Sequence, residues 1–154
     1  MYKDYYESKV KNIDFLFEDT DQFELPHKKL IHGIKKLIRQ EYGTTGDICI
    51  IFCSDNYLLD INRKYLNHDY YTDIITFNYV EDKVISGDLF ISSDRIRENS
   101  INFGNNFEEE LFRVIFHGLL HLFGYDDKSE DDKILMTAKE NYYLELNGFK
   151  GDKR

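Results

Sequence analysis

The stretch His117-Gly-Leu-Leu-His121-Leu-Phe-Gly124-Tyr125-Asp126-Asp127 carries two histidines four residues apart and an acidic pair just past a glycine. On a helix, residues at i and i+4 lie on one face, one turn apart, so His117 and His121 can share a single cation. Gly124 can adopt the left-handed conformation that ends a helix and reverses the chain. That reversal would bring Asp126 or Asp127 back toward the imidazoles. Two imidazoles and a carboxylate are a sound ligand set for zinc, with a fourth position left for water. They also suit other first-row metals, so zinc is favoured without being unique. Such a site polarises oxygen and acidifies water, and hydrolysis is the chemistry it implies.

The same residues have plainer uses. Two histidines on an apolar helix can be hydrogen-bonded core residues, and the acidic run from Asp126 to Asp132 can be a solvated turn. Ser129 with Asp132 three residues later reads as a capping box for a following helix. That box explains Asp132 and leaves Asp127 without a role. A zinc protease shares the His-x-x-x-His spacing but needs a glutamate directly after the first histidine as general base. Gly118 stands there, which argues against proteolysis.

These residues need a helix to carry them. Phe107 to Phe116 has apolar residues at helical spacing, no proline, and glutamates in its first turn, which suit the positive end of the helix dipole. Upstream, Asn12 to Phe17 alternates as a first strand, and Pro26 precedes a helix over 27–42 with Leu30, Ile31, Ile34, Leu37 and Ile38 inward. A second strand spans 47–54. Asp55 is read as the cap of a helix over 56–66, with Leu58, Leu59, Ile61, Tyr65 and Leu66 inward. Strands over 73–79 and 84–92 flank a turn at Glu81-Asp82-Lys83. A short helix over 93–101, the motif helix, and a last helix over about 130–147 complete the pattern. The expected fold class is therefore α/β (α+β), a mixed four-stranded sheet packed with about five helices. A single domain over 1–150 is expected, with 151–154 as a frayed tail.

Composition bounds the function. With 42% hydrophobic and 16% aromatic residues, the chain can bury a real core and is not disordered. No apolar run is long enough for a membrane span, and the N-terminus has no hydrophobic signal segment, so the expected location is cytoplasmic, without membrane partners. Cys49 and Cys53 lie in a strand-like run and read as core thiols in a reducing compartment. The net charge of −9 disfavours binding driven by phosphate contacts. His27, Lys28, Lys29, His32, Lys35, Lys36 and Arg39 make one local basic stripe. It either touches phosphates or is an ordinary solvated face.

The motif resembles the signature of the YbeY family of rRNA maturation factors, His-Gly-x-Leu-His-Leu-x-Gly-Tyr-Asp-His. His117 to Asp126 match it, ten of its eleven positions. Ile61-Asn62-x-x-Tyr65 and Thr72-Asp73-Ile74-Ile75-Thr76-Phe77 are similar to the family's Leu-Asn-x-x-Tyr-Arg and Thr-Asp-Val-Leu-Ser-Phe segments. Gly87-Asp88-Leu89, Glu110-Leu111, Met136 and Glu140 match further positions. The resemblance implies a zinc-dependent endoribonuclease of single-stranded RNA, acting in small-subunit rRNA maturation and ribosome quality control. Implied partners are rRNA and the small ribosomal subunit or its assembly factors, with no DNA; a monomer is the default. It also implies one Zn²⁺ per chain held by His117, His121 and Asp127.

Two departures alter that picture. The family's third histidine is Asp127, which keeps a ligand but cancels one of the metal's positive charges and weakens its acidification of water. The family's arginine after Asn-x-x-Tyr is Leu66, which cannot contact phosphate. Arg63, Lys64 and His68 are the nearby cations that could replace it, although none is geometrically equivalent. Asp126, Asp88 and Glu110 are the candidates for a general base. Another class of function also fits: a ribosome-assembly binding protein with a structural metal and little catalysis.

Overall fold

The computed structural model describes residues 13–152 and residue 154. Within them the order is β1 (Ile13–Glu18), α1 (His27–Gln40), β2 (Thr44–Cys53), α2 (Asp55–Leu66), β3 (Ile74–Asn78), β4 (Val84–Ser92), α3 (Ser93–Asn102), α4 (Phe107–Leu122) and α5 (Glu130–Leu146). The expected mixed sheet is present, in the order β1-β2-β4-β3. The β1–β2 and β2–β4 pairs are parallel, and β3 adds antiparallel to β4 at one edge. The start of the first strand expected from sequence, Asn12, lies outside the described residues.

Alternation along the strands sends Ile48, Ile50 and Phe52 of β2 and Ile85, Leu89 and Ile91 of β4 into the main core. Helices α1 and α4 cover that face. The other face is covered by α2, where Cys53, Leu58, Ile61 and Ile75 form a smaller cluster. Two details of α2 differ from expectation. Ser54, not Asp55, is the N-cap, its hydroxyl accepting from the Tyr57 amide at 3.1 Å. Asp55 instead accepts from Ser92 Oγ and Arg95. Tyr65 and Leu66, expected inward, are 64% and 40% exposed, because the last turn of α2 runs past the buried cluster.

Helix α4 is apolar nearly all round, and nearly every residue from Glu109 to Leu122 is buried, as befits a helix packed on every side. It lies close to the sheet at Gly118. A Cβ there would meet Ile74 Cδ1 at 2.7 Å and Leu89 Cδ1 at 3.1 Å. The position that carries a protease's glutamate therefore faces packed side chains and has no room for one.

The two cysteines are free. Burial, reinforced by neighbouring carboxylates, pushes the Cys49 thiol up to about 11 and the Cys53 thiol up to about 12, so both stay protonated. Asp152 and Arg154, near the end of the described chain, both make ion pairs. Arg154 pairs with Glu110 at 2.5 Å, and Asp152 accepts from Asn105 at 2.8 Å and lies 3.3 Å from Arg113. Glu110 and Arg113 are buried charges of α4, and Asn105 is a half-buried amide of the α3–α4 turn. No helix among the described residues is long and apolar enough to cross a membrane.

Candidate metal centre

The end of α4 builds the site. Gly124 has φ +101°, its amide bonds to the His121 carbonyl at 2.9 Å, and the Tyr125 amide bonds to the Leu120 carbonyl at 3.1 Å. This pair of bonds is a Schellman closure, which satisfies the last carbonyls of the helix and turns the chain back across it. The turn delivers two groups to His121. The Tyr125 carbonyl lies 2.9 Å from Nδ1, and Asp127 Oδ2 lies 3.4 Å from Nε2. The capping box of Ser129 and Asp132 then starts α5, so Asp127 is fixed between two capped helix ends.

His117 and His121 come together as their spacing predicts, and of the two acidic residues that the reversal could deliver, Asp127 is the one that meets them, as the resemblance implies. Their facing atoms form a triangle: Nε2 to Nε2 is 3.0 Å, and Asp127 Oδ2 is 3.2 Å from His117 Nε2. Ligands at about 2.1 Å from a tetrahedral zinc stand roughly 3.4 Å apart, so the triangle is near the size a metal requires. The protonation pattern makes the same point. A backbone carbonyl only accepts, so His121 must carry its proton on Nδ1. His117 Nδ1 lies 2.6 Å from the Glu140 carboxylate and donates likewise. Both Nε2 lone pairs then face each other and an anionic oxygen. A proton can serve only two of those three atoms; a divalent cation can serve all three. Among the described residues this is the one group of three histidine, cysteine, aspartate or glutamate side chains placed to hold a metal.

Behind the triangle stands a buried polar chain. Glu140 Oε1 accepts from Arg113 Nη1 at 2.9 Å, and Arg113 Nη2 donates to Asn141 Oδ1 at 2.7 Å. Arg113 and Glu140 are 3% and 5% exposed, so this pair operates where water screens little. Burial opposes a charge on His117, but the hydrogen bond and charge of Glu140, with Asp73 and Asp127 nearby, outweigh it and hold its pKa above the ordinary imidazole value. Carboxylates placed this way behind metal-bound histidines fix ring orientation and raise ligand basicity.

A second chain holds the turn. Glu41, just after α1, accepts from Tyr125 OH at 2.7 Å, from Lys139 Nζ at 2.9 Å and from Tyr143 OH. Tyr125 thus has its ring anchored to α1 while its carbonyl orients His121. Burial would raise the Glu41 pKa, but these three donors hold it below the usual carboxylate value.

The remaining candidates lie elsewhere. Arg63 is taken by Asp69 at 2.5 Å, Lys64 lies over the Tyr65 ring, and His68 stacks on Tyr70. Leu66 closes α2 at the surface. Asp126 is exposed, next to Asp127 in the chain, and has no side-chain hydrogen bond among the described residues. Asp88 cannot serve as base. Gly87 faces Leu122 of α4, so its strand neighbour Asp88 projects to the opposite face of the sheet, where it meets Tyr79. Glu110 is buried against Arg154 and Asn105. The basic stripe of α1 is largely exposed, and Lys29 pairs with Glu108 at 2.9 Å. Arg113, Glu140 and Glu41 had no role assigned from sequence. A lone arginine inside the apolar run Leu111 to Phe116 is a legible sign of a buried pair, but its partner, 27 residues later, is not.

A mixed α/β domain with a two-histidine, one-carboxylate centre at the end of its central helix is the class that fold and site define. The family model described as Endoribonuclease YbeY matches residues 11–148. The chain belongs to the YbeY family. It is 52% identical over 134 residues to the endoribonuclease YbeY of Bacteroides fragilis, covering 87% of this chain and 96% of that one. Against the Parabacteroides distasonis protein of the same name it is 49% identical over 130 residues, covering 82% and 92%. The solution structure of TM1509 from Thermotoga maritima superposes with a TM-score of 0.60 at 28% identity, covering 88% of this chain and 89% of that one.

Proposed function

We propose that this chain is a metal-dependent endoribonuclease that cuts single-stranded RNA and acts in small-subunit rRNA maturation and ribosome quality control. Its proposed setting is the cytoplasm, and its proposed partners are rRNA precursors and the small ribosomal subunit or its assembly factors. Family membership supports the nuclease activity. The observation that carries metal dependence is the convergence of His117 Nε2, His121 Nε2 and Asp127 Oδ2 within 3.4 Å with both Nδ1 protons already committed.

These three groups would hold a divalent ion, zinc by preference, which would supply Lewis acidity toward a phosphoryl oxygen or a water. The chain's own residues do the rest. Glu140 and the Tyr125 carbonyl hold both imidazoles in the tautomer that presents Nε2. Asp127 brings a negative charge that a third histidine would not, which lowers the net charge at the centre and favours harder cations more than an all-histidine set does. Asp126, exposed and next to Asp127 in the chain, and Asp73, whose charge acts on His117, make no side-chain hydrogen bond among the described residues and are available to accept a proton. The attacking group is a water or the substrate's own 2′-hydroxyl; a cyclic phosphate product marks the latter.

Leu66 favours a second reading, a ribosome-assembly binding protein with a structural metal, because the cation that the family places there is missing. One experiment separates the two. Protein purified without chelator is assayed for metal by elemental analysis and for cleavage of a single-stranded rRNA precursor, alongside Asp127→Ala. The nuclease reading expects about one zinc per chain, cleavage by the wild type, and loss of both in the variant. Metal without cleavage supports the structural reading, and a chain that takes up no metal sinks the hydrolytic mechanism.

A further inference from the structure

A cavity of about 740 Å³ opens beside the triad, and His117 and Asp127 form part of its wall. Its size falls in the range of about 300–1,000 Å³ typical of small-molecule sites. Three helices supply apolar wall: Ile96 from α3, Val114 from α4 and Met136 from α5. Asn99 and Thr137 add polar edges. Arg113 lines it as well. The Nε of this 97%-buried arginine has no hydrogen-bond partner among the described residues.

The charges exclude a phosphate as occupant. Arg113 and Arg154 are committed to Glu140, Glu110 and Asp152. The other carboxylates of the wall, Asp73 and Glu130, outnumber the one remaining cation, Lys133. A phosphate would meet an excess of negative charge. A flat, uncharged ring with N–H donors and carbonyl or ring-nitrogen acceptors would not.

We infer that this cavity seats one unpaired nucleobase of the RNA, next to the phosphate presented at the triad. The inference rests on the endoribonuclease reading and adds to it a base-reading subsite. It fits a single-stranded substrate, because a paired and stacked base cannot enter a cavity between helices. It also offers a hold on RNA that needs no arginine at position 66. The backbone stays outside, and the base carries the affinity.

The test has two arms. In the first, uncharged nucleosides (adenosine, guanosine, cytidine and uridine) are titrated into the full chain while methyl resonances of Ile96, Val114 and Met136 are followed. At least one nucleoside is expected to shift them, and Thr137→Phe, which fills the cavity, abolishes the shift. In the second, RNA oligomers intact or abasic at the nucleotide beside the cut are compared. The wild type is expected to cut abasic RNA at least roughly tenfold more slowly, as loss of a pocket contact predicts. Thr137→Phe cuts both at the same reduced rate. Ala138→Phe, from an exposed position on the same wall, repeats both arms should Thr137→Phe fail to fold. Nucleosides that leave these methyls unmoved, or a base-to-abasic ratio that survives the filled cavity, overturn the inference. A chain that binds nucleosides here yet cuts no RNA keeps the subsite and removes the nuclease reading instead. Cutting with no abasic penalty removes the subsite alone.

Discussion

Glu140 reaches His117 Nδ1 at 2.6 Å with one carboxylate oxygen and Arg113 at 2.9 Å with the other. One buried carboxylate thus settles the tautomer of a ligand and neutralises the arginine behind it. Glu140→Gln keeps the shape and removes the charge. We expect metal affinity to fall about 10- to 100-fold, the usual effect of losing a partner that orients a ligand. Competition with a chelator of known affinity measures it. Affinity unchanged in Glu140→Gln would show that His117 is oriented by its packing alone.

Tyr125 offers a contrasting case, because its ring and its carbonyl do different jobs. Tyr125→Phe removes the hydrogen bond to Glu41 and leaves the carbonyl on His121. Glu41 keeps Lys139 and Tyr143. Loss of a hydrogen bond to a charged acceptor predicts destabilisation of about 1.5–3 kcal/mol in chemical denaturation. Metal affinity should fall less than in Glu140→Gln, since the direct contact to the imidazole survives. A larger loss of metal than of stability would mean that the turn is not held by the Schellman closure.

What the sequence made legible was local. The alternation in β2 and β4, the helical period of α1 and α4, and the Ser129–Asp132 box each depend on neighbours within a turn or two. The triad was legible for the same reason, because its ligands lie in one short stretch whose glycine predicts the reversal. What stayed hidden depends on distant pairing. Glu41 meets Tyr125 from 84 residues away and Tyr143 from 102, and no periodicity records such a contact. Tyr65 and Leu66 were misplaced because helical period shows which face is apolar, not where the partner sheet ends. The ion pair of Arg154 with Glu110 is hidden as the Glu41 contacts are, since 44 residues separate the partners.

Gly118 separates this site from a protease by sterics as well as chemistry. With Ile74 Cδ1 at 2.7 Å and Leu89 Cδ1 at 3.1 Å from where a Cβ would stand, Gly118→Ala must turn the ends of these two packed side chains aside. Overpacking of this kind costs about 1–3 kcal/mol, against a gain of up to about 1 kcal/mol from helix propensity. A net loss of stability follows, seen as a lower denaturation midpoint. Gly118→Glu is expected to unfold or lose metal without gaining peptidase activity. A stable, metal-loaded Gly118→Glu protein would show that the helix can lift from the sheet.

Acid should loosen the C-terminal end. Burial alone would raise the Asp152 pKa, but hydrogen bonds from Arg154 and Asn105 and the charge of Arg113 hold it well below the usual carboxylate range. Its folded pKa is therefore lower than its unfolded value of about 3.9. For a depressed group, the stabilisation is fully present above the unfolded pKa and is lost as pH falls through the folded one. Asp152→Asn has no such proton to gain. The variant should be less stable than the wild type near pH 6, and the gap should close as pH drops below about 4. Denaturant titrations across that span measure it. A gap that stays constant into acid would mean that Asp152→Asn is destabilised by its changed hydrogen-bonding pattern and not by loss of the carboxylate's charge.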